Sequence, residues 1–391
     1  MTRLPDTLPD RLLDDPALAA VLDAIEADGH RALLVGGAVR NALLGQAVED
    51  IDIATDARPE TVMRLAQAAG LKPVPTGIDH GTVTVIAAGR GFEVTTFRRD
   101  VETDGRRAVV AFSDDLSEDA RRRDFTMNAL YADRAGKVID PVAGLPDLVS
   151  RRLRFVGDPE ARIREDYLRI LRFFRFLAWY GREAEPEAVT ACSGLKDGLR
   201  RIARERIGAE TKKLLAAPDP GPALALMAET GVLAQVLPGA DATVLPSLIA
   251  AENGLAPAWP RRLACLRAPG VAEALRLSRG EARTQAALAH ALSEGWTLSE
   301  AGYRLGEATG ADYALIRAAE GETLPEGWQA RLAHAAAASL PIAARDLIPQ
   351  LQGAQIGRGL KAAEDAWIAG DFAMPAPALI DAALLAGKDG P

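Results

Sequence analysis

Leu34-Val-Gly-Gly-Ala-Val-Arg40, followed closely by Glu49-Asp-Ile-Asp-Ile53, decides how this chain is read. The run at 31–35 predicts a buried strand, and Gly36-Gly37 lets the backbone turn tightly with its N–H groups open to a bound anion. A helix over 38–44 follows, with its positive end on that turn. Arg40, in the first turn, offers a fixed cationic fork to the same phosphates. Side chains alternate along a strand, so Asp50 and Asp52 share one face while Ile51 and Ile53 take the other. One face is core, and the other carries paired carboxylates.

Two hard oxygen ligands at neighbouring positions suit Mg²⁺, which is usually held by one or two carboxylates together with substrate phosphates. Asp50 and Asp52 are the expected metal ligands. A third carboxylate would complete a two-metal site, and Glu93 is the candidate. It lies in Phe92-Glu-Val-Thr-Thr-Phe97, an alternating strand preceded by a potential partner, Gly81-Thr-Val-Thr-Val-Ile86. A Gly-Gly turn or a DxD pair alone occurs in many proteins without such a site. Their compact order, strand, turn, helix and DxD, is what carries information.

The run Gly36-Gly-Ala-Val-Arg-Asn-Ala-Leu-Leu-Gly45 with Asp50-Ile-Asp52 resembles the head of the tRNA CCA-adding and bacterial poly(A) polymerase family, within the DNA polymerase β-like nucleotidyltransferases. Further matches follow in the family's order: Glu93-Val-Thr-Thr-Phe-Arg98, Arg122-Arg-Asp-Phe-Thr-Met-Asn-Ala129, Asp140-Pro-Val-Ala-Gly-Leu-Pro-Asp-Leu148, Glu165-Asp-Tyr-Leu-Arg-Ile-Leu-Arg172 and Glu205-Arg-Ile-Gly-Ala-Glu210. The resemblance implies an α+β multidomain protein: a nucleotidyltransferase head of mixed sheet and helices, then an all-α neck, body and tail. It further implies template-independent addition of C, C and A to tRNA 3′ ends from CTP and ATP, with pyrophosphate released. Asn41 departs from the pattern, standing where most members carry Asp after the arginine. It can hydrogen-bond but brings no charge to Arg40.

The expected divisions are a head over 1–149, in which 1–30 is an extension read as a leading helix without chemistry, a neck over 150–215, and a helical body and tail over 216–391 that places RNA by shape. The breakers of Asp140-Pro-Val-Ala-Gly-Leu-Pro-Asp147 mark the first boundary. At 391 residues a single core is not expected. No apolar stretch approaches membrane-spanning length and no secretory leader is recognisable, so the expectation is a cytoplasmic protein. Two cysteines and four histidines show no disulfide framework or zinc spacing. Nothing calls for an obligate protein partner.

A net charge of −8 looks wrong for an RNA enzyme until it is divided along the chain. Residues 151–215 hold 16 Lys and Arg against 10 Asp and Glu, whereas 216–391 hold 13 against 19. The neck is therefore the expected phosphate-backbone surface. Poly(A) polymerases of the family tend to carry a basic C-terminal extension, and this acidic tail favours CCA addition. A non-catalytic RNA-binding protein has no use for both carboxylates of an intact DxD.

Within the neck, steps of three predict Asp166, Arg169, Arg172 and Arg175 as a polar stripe on one helix, with Leu168, Leu171, Phe174 and Phe176 for the core. Cytosine and adenine both present an amino donor beside a ring-nitrogen acceptor, whereas guanine and uracil present a carbonyl beside an N–H. A carboxylate next to a guanidinium complements only the first pair. Asp166 with Arg169 is thus expected to admit CTP and ATP and to reject GTP and UTP, the role the resemblance assigns to this pair. Arg172 and Arg175 match further nucleotide-contacting arginines, and Arg123-Asp124 matches a ribose-contacting motif in which Asp124 also suits a helix cap over 125–131. Glu205 and Arg206 are read as structural. The polar stretch 98–112 reads as a loop; in the family, a loop here is associated with the switch from C to A addition.

Overall fold

The computed structural model describes residues 7–104 and 107–388, so Met1 to Asp6 of the extension and Gly105-Arg106 lie outside the described residues. The chain folds as two compact units, 1–236 and 237–391.

The first unit is built on β1 (Ala32–Val35), β2 (Asp52–Thr55), β3 (Lys72–Gly77), β4 (Thr82–Ala87), β5 (Arg90–Thr96), β6 (Arg98–Asp104), β7 (Arg107–Phe112), β8 (Tyr131–Ala132) and β9 (Val138–Ile139). Seven of these form one sheet in the order β3-β4-β5-β2-β1-β8-β9. The β2–β5 pair is parallel and the other pairs are antiparallel, which makes the sheet mixed. β1 is buried throughout because it lies centrally, and its Ala-Leu-Leu-Val sequence is apolar on both faces. β4 and β5 bury Val83, Val85, Phe92 and Val94 and leave Glu93 outward, the alternation of a half-buried sheet.

Helices packed around this sheet region include α1 (Pro16–Glu26), α2 (Gly37–Leu43) and α3 (Pro59–Ala68). α1 is the leading helix of the extension. Asp15 caps it by accepting from Ala17 N at 2.9 Å, Pro16 fits its first turn, and Leu18, Val21, Leu22 and Ile25 form its buried stripe. The stretch expected to be a loop is instead a hairpin: β6 and β7 pair antiparallel and form a separate two-stranded sheet. The first strand, Arg98–Asp104, is polar, but the second, Arg-Ala-Val-Val-Ala-Phe over Arg107–Phe112, has the β-branched and apolar residues of a strand, a signal that the reading as a polar loop passed over.

The breakers near 140–147 form a tied turn. Asp140 accepts from Gly144 N at 2.7 Å and Leu145 N at 2.8 Å, and Asp147 accepts from Thr126 Oγ1 at 2.6 Å. A Cβ at Gly144 would overlap the Thr126 carbonyl, so only glycine permits this approach. Beyond it come α4 (Pro159–Glu165), α5 (Leu168–Tyr180) and α6 (Arg204–Leu215), with two-residue strands Arg152–Leu153 and Glu183–Ala184 paired alongside. α5 buries Leu168, Leu171, Phe174 and Phe176, the core set read from the sequence, together with Ile170, Phe173 and Leu177.

The second unit contains only helices and turns among its described residues. Glu252 there is 3% exposed and meets Arg261 at 2.8 Å and Arg262 at 2.7 Å, which satisfies a charge that could not otherwise be buried. A separate apolar cluster gathers Leu347, Leu351, Ala363, Trp367 and Leu379. No helix of the described residues is long and apolar enough to cross a membrane.

Candidate active site

Gly36 leaves β1 with φ +66°, a left-handed conformation that explains glycine at this turn, and caps α2. The turn is flanked by two guanidinium groups. A Cβ on Gly36 would lie 3.4 Å from Arg123 Nη1, and one on Gly37 would lie 3.7 Å from Arg40 Nη2. The register brings the carboxylates to the same place. Asp52 pairs with Val35, just before the turn, and on its other side stands opposite Glu93 across the parallel β2–β5 pair. Asp50 precedes the strand rather than lying in it, yet Ile51 at 7% and Ile53 at 0% exposure keep the alternation and leave both aspartates outward. Partial loss of solvent raises the Asp52 carboxyl above its ordinary value, and the negative charges of Glu93 and Asp50 add to the effect, opposed by Arg123.

Arg40 is 5% exposed. Its Nε and Nη2 donate to Asn41 Oδ1 at 3.1 and 2.9 Å, its Nη1 donates to Asn128 Oδ1, and its guanidinium lies 3.8 Å from the Tyr180 ring centroid. Asn41 thus keeps the fork in place as a neutral acceptor, and its own Nδ2 donates to Ala47 O at 3.0 Å. Arg123 is held by Asp119 at 3.1 Å and by the Tyr131 hydroxyl at 3.0 Å. Asp119, 1% exposed, also takes Arg122 Nε at 2.8 Å and the Tyr131 O–H at 2.7 Å. Sequence reasoning missed Asp119, although its spacing to Arg122 and Arg123 is that of helical neighbours.

The nucleotide-contacting residues of the neck and of the adjoining head segment differ from expectation in three ways. Asp166 is not in a helix: it is the extended residue between α4 and α5, with φ −151°, and accepts from Leu168 N at 3.1 Å. The stripe of four on one helix therefore reduces to Arg169, Arg172 and Arg175. The pair Asp166–Arg169 is not formed. Asp166 meets Arg206 at 2.7 Å, while Arg169 turns back to Glu165 and to the Arg162 carbonyl at 2.7 Å. Arg206, read as structural, is thus in direct contact with a site residue. Finally, the segment after Asp124 is a short 3₁₀ turn over Thr126–Asn128 rather than a longer helix, and Asp124 accepts from Phe125 N at 2.9 Å and Asn128 Nδ2 at 3.2 Å. Its other oxygen takes Arg172 Nε at 2.9 Å. Burial works against the Asp124 charge, but the Arg172 charge and these hydrogen bonds pull its carboxyl down to about 2. Arg175 lies 2.9 Å from Glu210.

A cavity of about 580 Å³ opens beside the carboxylates and is lined by Gly37, Arg40, Asp50, Asp52 and Arg175 from the expected set, and by Trp179. Gly36, Glu93, Arg123, Asp124, Asp166, Arg169 and Arg172 are outside its lining. Among the described residues no three His, Cys, Asp or Glu side chains are arranged to hold a metal ion by themselves.

Carboxylates on neighbouring strands beside a glycine turn flanked by guanidinium groups, on a mixed sheet followed by helices, are the arrangement of a nucleotidyltransferase head. Residues 32–154 match the family described as Poly A polymerase head domain, and 183–243 match that described as Probable RNA and SrmB- binding site of polymerase A. The CCA-adding enzyme of Geobacillus thermodenitrificans is 40% identical over 254 residues, 64% of this chain and 58% of that protein. The mitochondrial CCA tRNA nucleotidyltransferase 1 of Danio rerio is 45% identical over 206 residues, 51% of this chain and 47% of that protein. The chain thus spans about half the length of the curated relatives it matches. The crystal structure of the Bacillus stearothermophilus CCA-adding enzyme in complex with CTP is 31% identical, with a TM-score of 0.68 over 91% of this chain and 93% of that one. The chain belongs to the family of tRNA CCA-adding enzymes and bacterial poly(A) polymerases.

Proposed function

We propose that this chain adds C, C and A to the 3′ end of tRNA from CTP and ATP. The observation that carries the reading is the register of Asp52 against Glu93, with Asp50 beside them, at a cavity shared with Gly37 and Arg40. In each addition the primer 3′-oxygen forms a bond to the α-phosphorus, the bond to pyrophosphate breaks, and the hydroxyl proton leaves with the assistance of Glu93. Arg40 and the Gly37 side of the turn hold the phosphates, Gly36 shaping the turn while its own N–H, expected to face an anion, donates to the Leu130 carbonyl at 3.1 Å. Arg123 and Asp124 hold sugar and phosphate.

Nucleotidyltransferases of this family generally use a divalent metal ion, and we assign Mg²⁺ to Asp50 and Asp52. The donors are hard oxygens, and the raised Asp52 carboxyl, crowded by Glu93 and Asp50, is the environment that a dication relieves. A small set of protein carboxylates, Asp50 and Asp52 with Glu93 opposite, fits an ion that completes its coordination with substrate phosphates. When bound, a pair of such ions supplies activation of the attacking hydroxyl and neutralisation of the triphosphate.

Incubation with tRNA lacking CCA, labelled CTP and ATP tests the reading. Three nucleotides are expected. A long A tract would make the chain a poly(A) polymerase, the activity for which the matched families are named, and no extension would leave an RNA-binding role.

Base choice is assigned to Asp166 and Arg169. Held as it is by Arg206, Asp166 presents a fixed acceptor, and Arg169 supplies the donor on release from Glu165. Asp166→Ala and Arg169→Ala are expected to reduce the preference for CTP over UTP and for ATP over GTP by about 1–3 kcal/mol, by analogy with bidentate readout in DNA. Single-turnover competition measures this, and unchanged ratios would move base selection elsewhere. Nucleotide-independent tRNA affinity is expected to rest on the arginines of 151–215 and to fall steeply with salt, the log–log slope dropping by about one for each phosphate contact neutralised. A salt-insensitive affinity would shift tRNA binding to the helical tail.

A further inference from the structure

Part of the cavity lining is not used by the chemistry above. Trp179 and Lys213 line the same cavity as Asp50 and Asp52, together with Arg175. Arg175 and Trp179 are spaced i,i+4 on α5 and so share a face. Trp179 is 39% exposed, unusual for the largest apolar side chain, and its indole N–H donates to the Lys213 carbonyl at 2.8 Å. That bond fixes the ring relative to α6. The Lys213 side chain is exposed and has no carboxylate partner among the described residues. A fixed aromatic face, an uncommitted ammonium and a route to Asp50 and Asp52 thus share one concave surface.

We propose that Trp179 and Lys213 form the subsite for the single-stranded 3′ end of the RNA primer, the terminal base stacking on the indole and its phosphate meeting Lys213. The inference rests on the proposed CCA addition. The base of the incoming nucleotide is an unsuitable occupant of this part, because the base-reading residues Asp166 and Arg169 are outside the cavity whose Gly37, Arg40, Asp50 and Asp52 take the triphosphate. The primer end suits it for a chemical reason. Its terminal base changes after each addition, so its site must accept any base, and stacking on a π-face does so where hydrogen-bond readout does not. The phosphate on its 5′ side needs a cation, and Lys213 provides one without first breaking an ion pair.

Steady-state kinetics on the full chain, varying tRNA lacking CCA and CTP separately, tests this. Trp179→Ala is expected to raise KM for tRNA about tenfold with KM for CTP unchanged, and Trp179→Phe, which keeps a π-face, to recover most of that loss. Lys213→Gln, at an exposed position that does not threaten folding, is expected to raise KM for tRNA and to reduce the salt slope of tRNA binding by about one. A rise in KM for CTP instead of tRNA, or a Lys213→Gln variant with wild-type tRNA KM and salt slope, overturns the proposal. Failure of the CCA reading is separate: the wild-type chain would then add a long A tract or nothing, while equilibrium binding of end-labelled tRNA lacking CCA still reports on Trp179 and Lys213. Equal wild-type and Trp179→Ala affinities in that assay also reject the subsite.

Discussion

Asp52→Ala is expected to abolish C addition and A addition together while leaving tRNA binding near its wild-type level. Asp52 joins the central parts of the site: it pairs with Val35 before the glycine turn, faces Glu93 and lines the cavity. Its loss leaves Asp50 as the single hard protein ligand at a site assigned to two, so the metal is held more weakly and out of its place between primer and phosphates. Metal stabilisation of developing charge is worth several kcal/mol, and about 4 kcal/mol corresponds to a roughly thousandfold fall in kcat. Asp52→Asn keeps the shape and removes only the charge, so it is expected to fall nearly as far. Asp50→Ala should behave alike, since both additions share one site. Single-turnover rates with CTP and with ATP, alongside tRNA binding, give the check. Either addition continuing near the wild-type rate removes these carboxylates from the chemistry.

The parts of this site that depend on neighbours in sequence are legible without a structure. Strand, glycine turn, helix and DxD follow from turn chemistry and period-two alternation, and Ile51 and Ile53 are buried between outward aspartates as that alternation requires. The pairing of charges is a different matter. Asp166 finds Arg206 forty residues on, and Asp124 finds Arg172 at a separation of 48, distances at which periodicity says nothing. The break at Asp166 had a local signal that the three-residue spacing obscured: a short acid ahead of a helix accepts its first N–H groups, as Asp166 does from Leu168. Trp179 lies outside every motif. Its exposure in a cavity is a property of the packed neck, visible only once α5 and α6 are adjacent.

Asp124→Ala is expected to destabilise the first unit by about 3 kcal/mol, the lower part of the range for removing one partner of a buried ion pair, because Arg172 keeps partial access to water. Three donors lose their acceptor at once: the Arg172 guanidinium, Phe125 N and Asn128 Nδ2. Asn128 in turn accepts from Arg40, so the loss spreads towards the phosphate-holding turn. pH separates the charge from the shape. The folded-state carboxyl, at about 2, lies below its ordinary 3.8, so the ionised form stabilises the fold. That contribution is complete above pH 3.8, roughly 2 kcal/mol from a shift of this size. It is lost as pH falls from there through the folded value. Asp124→Asn retains the size of the side chain but has no such charge to lose. The stability difference between wild type and Asp124→Asn, measured by urea denaturation, should be constant from neutral pH to about 4 and then close as the wild type protonates. A gap that persists unchanged to the lowest pH at which both remain folded would assign the stabilisation to packing rather than to the Arg172 ion pair.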